Sequence, residues 1–100
     1  KMAVILNLQV TVKPGKRKEA LEFMNAVLPE TRSYDGCCWV YVASDPEDEN
    51  RVEVFSLWDS KKHYETYLQW RRDTGIMKEA EEFFAGEPLW RFLDLEHSYK

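Results

Sequence analysis

Tyr64, Tyr67, Leu68 and Arg71 fall at i, i+3, i+4 and i+7, which places all four on one stripe of a helix. Three of these residue types line cores; the fourth carries a charge. A buried guanidinium has to be paired or hydrogen-bonded. Arg71 therefore either meets a negative oxygen on a ligand, pairs with a carboxylate such as Glu53 or Asp94, or carries its charged end out to water. The first option is chemistry. An apolar slot with a cation at one end can hold a phenolate. Trp58 lies six residues before Tyr64, where a strand meets the helix, and fits either a pocket wall or the core. His63, with an ordinary pKa near neutrality, is a candidate base. Its neighbours Ser60, Lys61 and Lys62 equally suit a solvated first helical turn. His97, near the end of the chain, receives no role.

Other chemistries have less to work with. Cys37 and Cys38 are adjacent, so in a strand they point to opposite faces and neither close a disulfide easily nor chelate one zinc together. The two histidines are far apart, and no metal is expected. Nothing matches a Gly-rich phosphate loop or a Ser-His-Asp arrangement. The net charge of −4 argues against nucleic acid, whose phosphates call for a basic patch. Lys16-Arg17-Lys18, followed by Glu19 and Glu22, reads as a solvated helical turn. No apolar run reaches the ~18 residues that span a bilayer, and Ala3 to Val12 is interrupted by Asn7, Gln9 and Thr11. With no disulfide framework the expected compartment is the reducing cytoplasm. Lys1 reads as an addition ahead of Met2.

The elements that position these residues follow from periodicity. Ala3 to Lys13 alternates, with Val4, Leu6, Leu8, Val10 and Val12 on one face and Ile5, Asn7, Gln9 and Thr11 on the other: a strand. Pro14-Gly15 stops it. A helix over about 16–32 sets Ala20, Leu21, Met24, Val27 and Leu28 on one side, with Pro29 expected to bend or end it. Strands are predicted at 37–44 and 51–58, with residues 44–50 as a polar hairpin loop. A second helix, capped by Ser60, runs to about Arg72. A third covers about 76–85 and is ended by Gly86-Glu87-Pro88, and the last strand is 89–96. The order βαββα(α)β within 100 residues predicts one domain over 1–100. Its class is α+β, a ferredoxin-like βαββαβ fold with a four-stranded antiparallel sheet and helices on one face.

Such a sheet has an open face, yet these strands are apolar on both sides. The second strand sets Cys37, Trp39, Tyr41 and Ala43 against Cys38, Val40 and Val42. The third sets Val54 and Trp58 against Phe55 and Leu57, and the fourth Trp90 and Phe92 against Leu89, Leu93 and Leu95. A face of large apolar groups wants cover, and a second copy of the chain supplies it by two-fold symmetry. A homodimer through the open sheet face is predicted, with Asn7 and Gln9 hydrogen-bonded inside the shared barrel.

Three segments resemble the antibiotic biosynthesis monooxygenase (ABM) family. They are Leu28-Pro29-Glu30-Thr31-Arg32 with Gly36-Cys37; Glu53-Val54-Phe55-Ser56-Leu57-Trp58-Asp59-Ser60; and Tyr64 through Gly75. The resemblance implies a dimeric α+β barrel. It also implies, from some members, oxidation of quinols or polycyclic phenols by dioxygen with neither metal nor flavin, so no cofactor is expected. On that basis Arg71, Tyr64 and His63 are the catalytic candidates. Trp58, Tyr67, Leu68, Asn7 and Phe55 are the candidates for binding a small aromatic substrate. Val54 stands where monooxygenase members carry a polar residue four positions before the Trp, which departs from the polyketide-oxidising pattern. A non-catalytic barrel that binds a small aromatic ligand is the alternative. Haem degradation fits less well, because Asn7 is one residue out of register with the Asn of that branch, Tyr67 replaces its Trp, and no histidine follows in the 76–85 helix.

Overall fold

The structure is a computed structural model that describes residues 2–100; Lys1, and with it the reading of that residue as an addition, lies outside them. Strand β1 (Val4–Val12) leads into helix α1 (Arg17–Ser33), then the hairpin β2 (Cys37–Asp45) and β3 (Asp48–Trp58). Helices α2 (Lys61–Thr74) and α3 (Ile76–Ala80) precede strand β4 (Phe84–Asp94). The four strands form one antiparallel sheet in the order β2-β3-β1-β4. The α+β class and the four-stranded antiparallel sheet predicted from alternation are what the chain adopts.

Strand pairing sorts the side chains into rows across the sheet. On the helix side run Val40, Ser56, Leu6 and Phe92, and next to them Val42, Val54, Leu8 and Trp90. On the other side run Trp39, Leu57, Ile5 and Leu93, then Tyr41, Phe55, Asn7 and Arg91. The period of two that puts Val4, Leu6, Val10 and Val12 in the core is therefore also what puts Asn7 on the face that no helix covers.

Four boundaries differ from expectation, each for a local reason. Pro29 does not end α1, which continues to Ser33. The bond that its missing N–H would make is to the carbonyl of Asn25, on the exposed side of the helix, where its loss costs little. The hairpin loop is only Pro46 and Glu47, tightened by Asp45 Oδ1 accepting from the Glu47 N–H at 2.8 Å. Residue Cys38 is the extra residue of a bulge between Cys37 and Trp39, so Cys37 turns to the helix side and is buried with Trp58 rather than sharing a face with Trp39. Strand β4 begins at Phe84, not at 89, and the third helix is correspondingly short. Gly86-Glu87-Pro88 is not a helix stop but a bulge within β4: Gln9 pairs with Leu89, and Thr11 with Ala85. Gly86 takes φ +69° to make that detour, and Pro88 sits where no ladder hydrogen bond is asked of it.

The core has two parts. Trp58, fully enclosed, packs with Val4, Leu6, Cys37, Tyr64 and Tyr67 under α2. Val10, Val12, Ala20, Met24, Val52 and Val54 join α1 to the sheet. Among the described residues no helix is long and apolar enough to cross a membrane.

Candidate functional site

A cavity of about 380 Å³ lies between the helices and the sheet. Its floor is Leu6, Leu8, Val40, Val54, Ser56 and Trp90 from the strands, and its roof is Met24, Val27, Leu28 and Thr31 of α1 with Tyr64, Tyr67, Leu68 and Arg71 of α2. Residues Ile76, Met77, Glu81 and Glu87 lie toward the α3 and β4 side. The spacing of the α2 stripe produces this directly: i, i+3, i+4 and i+7 all face the sheet. Ser60 caps the helix, its Oγ accepting from the His63 N–H at 3.2 Å, and Gly75 ends it in the left-handed conformation.

Arg71 is 4% exposed and all three nitrogens of its guanidinium donate hydrogen bonds. Its Nε donates to the Tyr67 hydroxyl at 2.9 Å, and Nη1 donates to Glu30 Oε1 at 3.3 Å. Nη2 donates to the Val27 carbonyl at 2.8 Å and to Thr31 Oγ1 at 3.1 Å. The carboxylate partner is Glu30 at the end of α1, not Glu53 or Asp94, which lie on the sheet. The Tyr67 and Thr31 hydroxyls also bond each other, closing a triangle with the cation. Arg71 thus does not stand free to grip a ligand. Its charge backs two hydroxyls that border the cavity.

Tyr64 is buried against Trp58, ring centroids 5.2 Å apart, and burial pushes its phenol well above the ordinary range. It stays a protonated donor. Trp58 donates from Nε1 to Ser56 Oγ at 2.8 Å, two residues back on the same face. Ser56 lines the cavity while Trp58 is sealed behind it, so Trp58 supports the wall rather than forming it.

Three expected site residues lie elsewhere. Asn7 and Phe55 pair across β1 and β3 on the open face, away from the cavity. The odd–even parity of the strand decides this, setting both on the face opposite Leu6, Val54 and Trp58. Asn7 Nδ2 donates to Glu53 Oε1 at 3.2 Å and Asn7 Oδ1 accepts from Gln9 Nε2 at 2.8 Å. His63 points outward from α2: its ring packs on Gly36, Nδ1 meets Ser60 Oγ at 2.7 Å and Nε2 lies 3.9 Å from Asp35. It does not line the cavity.

Ser56 and Thr31 were not singled out from the sequence. Both carried a signal, being lone hydroxyls on otherwise apolar stripes: Val52, Val54 and Trp58 for the first, Met24, Val27 and Leu28 for the second. The thiols offer little reactivity. Burial raises Cys37 to about 11, and burial with the neighbouring Asp59 raises Cys38. Among the described residues no group of three or more His, Cys, Asp or Glu side chains is gathered as metal ligands are.

Comparison with known proteins agrees with this geometry. The family described as antibiotic biosynthesis monooxygenase matches residues 3–72. No curated protein matches the chain. Among solved structures, a conserved protein from Methanosarcina mazei superposes with a TM-score of 0.81 at 18% identity, covering 91% of this chain and 90% of its own. A protein of unknown function from Nitrosomonas europaea gives 0.83 at 15% identity, covering 99% and 94%. A structure titled antibiotic biosynthesis monooxygenase gives 0.81 at 13% identity, covering 94% and 99%. At these identities the likeness is one of fold.

Proposed function

The chain belongs to the antibiotic biosynthesis monooxygenase family, and from that premise we propose that it oxidises a small quinol or related phenol with dioxygen, the substrate itself supplying the electrons. One observation carries the reading: an apolar cavity whose inner polar groups are hydroxyls, two of them backed by the buried Arg71, with the exposed Arg72, Glu81 and Glu87 at its edge. The overall change balances as quinol plus dioxygen giving hydroxyquinone plus water. The ring loses four electrons, one oxygen atom stays as the new hydroxyl, and the other leaves as water with two hydrogens of the quinol.

Each group then has a task. The apolar walls hold the flat ring and keep out water, which strengthens every polar contact inside. The Tyr64 hydroxyl and the Thr31–Tyr67 pair stabilise the developing anion, and Arg71 sharpens the pair as donors. Among the described residues the interior presents no carboxylate or imidazole, so the substrate proton leaves toward the mouth, where Glu81 and Glu87 are exposed. A cavity at the lower end of the roughly 300–1,000 Å³ range of ligand sites suits one or two rings rather than a porphyrin. The reading includes a second copy of the chain on the open face, as members of the family are generally dimeric.

The test is oxygen uptake over a panel of quinols in buffer free of metal and flavin. Uptake with at least one is expected, and Tyr64→Phe should lower kcat/KM by about a hundredfold, the usual cost of one lost oxyanion donor. A folded protein that consumes no oxygen with any of them sinks the proposal. The lack of an interior base favours a second reading, a non-catalytic barrel that binds a small aromatic ligand. That reading expects a raised thermal midpoint with ligand and no product.

A further inference from the structure

The cavity differs from end to end. Leu6, Leu8 and Val10 of β1 lie along its floor, and strand geometry puts the first about 13 Å from the last. One end is hydroxylic: Leu6 pairs with Ser56 and packs with Tyr64 and Tyr67, and Tyr67 bonds Thr31. The other end is hydrocarbon. Val10 clusters there with Met24 and Phe84, and Phe23, Met77 and Ala80 extend the wall. Of the charged lining groups, Arg71 is committed to the hydroxyl end, while Arg72, Glu81 and Glu87 are exposed at the edge. The mouth lies at the hydrocarbon end, since the bulge Gly86-Glu87-Pro88 stands opposite Val10 and Glu81 directly follows α3.

This polarity selects the shape of the ligand. A ring held at the hydroxyl end alone leaves the hydrocarbon end to water or to nothing. Water there lacks the polar partners that hold it, and a void forfeits the dispersion contacts of its walls. Fused rings with oxygens spread along their length fare worse, because their far oxygens meet walls that offer no partner. A flexible apolar chain suits the space, and Met24 and Met77, adaptable thioethers on α1 and α3, mould readily to one. We propose that the ligand is a single hydroxylated ring bearing an apolar side chain of about five carbons, the length that remains along ~13 Å of floor once one ring is seated. The ring lies against Ser56, Thr31 and Tyr67, and the chain runs past Met24 toward the mouth. The proposal deepens the oxidation reading by naming its substrate class, and it rests on that reading for the quinol character of the ring.

Anaerobic calorimetric titration with hydroquinones alkylated from methyl to nonyl tests it. Affinity should rise about three- to fourfold per methylene as far as pentyl, at one ligand per chain, and level off beyond it, where the chain emerges into water. Ala80→Phe and, separately, Met77→Trp put bulk into the hydrocarbon end. Either should flatten the rise while leaving methylhydroquinone affinity within about twofold, since one ring does not reach that far. Ser56→Ala should weaken every member by a common factor and keep the rise. Affinities independent of chain length, a rise that continues through nonyl as adsorption to an apolar surface gives, a rise unmoved in both α3 variants, or naphthohydroquinone binding more tightly than pentylhydroquinone overturns the inference. Oxygen uptake with pentylhydroquinone, measured in parallel, separates the two claims. Chain-dependent binding without uptake supports this inference and counts against oxidation alone; uptake without chain dependence does the reverse.

Discussion

Arg71 is a clasp between two helices before it is anything else. Its side chain leaves α2 and reaches Val27, Glu30 and Thr31 of α1, while Tyr67, one turn back on α2, takes the remaining contact. Removing it takes one hydrogen bond each from the Thr31 and Tyr67 hydroxyls and the Val27 carbonyl, so Arg71→Met should lower unfolding free energy by about 3 kcal/mol. Glu30 is half open to water, its side chain 65% exposed, and Glu30→Gln should cost less than about 1 kcal/mol. Urea denaturation of the two variants decides: similar small losses would show that the clasp is idle. The stripe that carries Arg71 was legible because the helical period is local. Its partners were not, since they lie some 40 to 44 residues away on another helix and nothing in a single sequence couples the two.

Among the elements, α2 is seated by close approach at its N-terminus. Gly36, in the turn before β2, has φ +91°, and a Cβ there would lie 2.6 Å from the Cβ and ring of His63. His63 is thus more readily understood as a fitted part of the helix seat than as a base. Gly75, at the other end of the helix, has φ +82° but open space around it. The two glycines separate strain from collision. Gly75→Ala should cost about 1 kcal/mol from backbone strain alone. Gly36→Ala should cost about 1–3 kcal/mol more, because the helix must shift to admit the methyl group. Equal losses in chemical denaturation would mean that His63 yields freely and does not hold the helix. At this scale the sequence told element types well and bulges badly. Alternation identified β1 through its whole length and β3 from Arg51 to Trp58, and the 3.6-residue period identified α1 and α2. The bulges at Cys38 and at Gly86-Glu87-Pro88 broke a period, and a Gly-Pro pair looks the same whether it ends a helix or detours within a strand.

The molecule as a whole is a slab, 41 × 33 × 21 Å, with helices on one side of its sheet. Across the bare side runs an apolar row from edge to edge, Trp39, Leu57, Ile5 and Leu93. Trp39 stacks on Tyr41 beside it, which is 62% exposed. The next rows are polar at their middle, where Arg51, Gln9, Asn7 and Glu53 form a chain of donors running toward one carboxylate. A face of this kind is self-complementary in outline: apolar rows to be covered, and a positive and a negative end that a two-fold partner meets in reverse order. Each large apolar side chain covered in this way contributes roughly 1.5–3 kcal/mol, so sedimentation at micromolar concentration should report the mass of two chains. Leu57→Arg should yield a single-chain particle, since the new charge would be buried at the centre of the contact with no partner. Leu57 faces away from the cavity, and the half-buried position it holds in the single chain tolerates a long side chain. The monomeric variant should therefore keep its folded circular dichroism spectrum and its alkylhydroquinone affinity. A wild-type protein that sediments as one chain would leave this row wet by choice, and the dimer would have to be abandoned while the cavity and its hydroxyls stood unchanged.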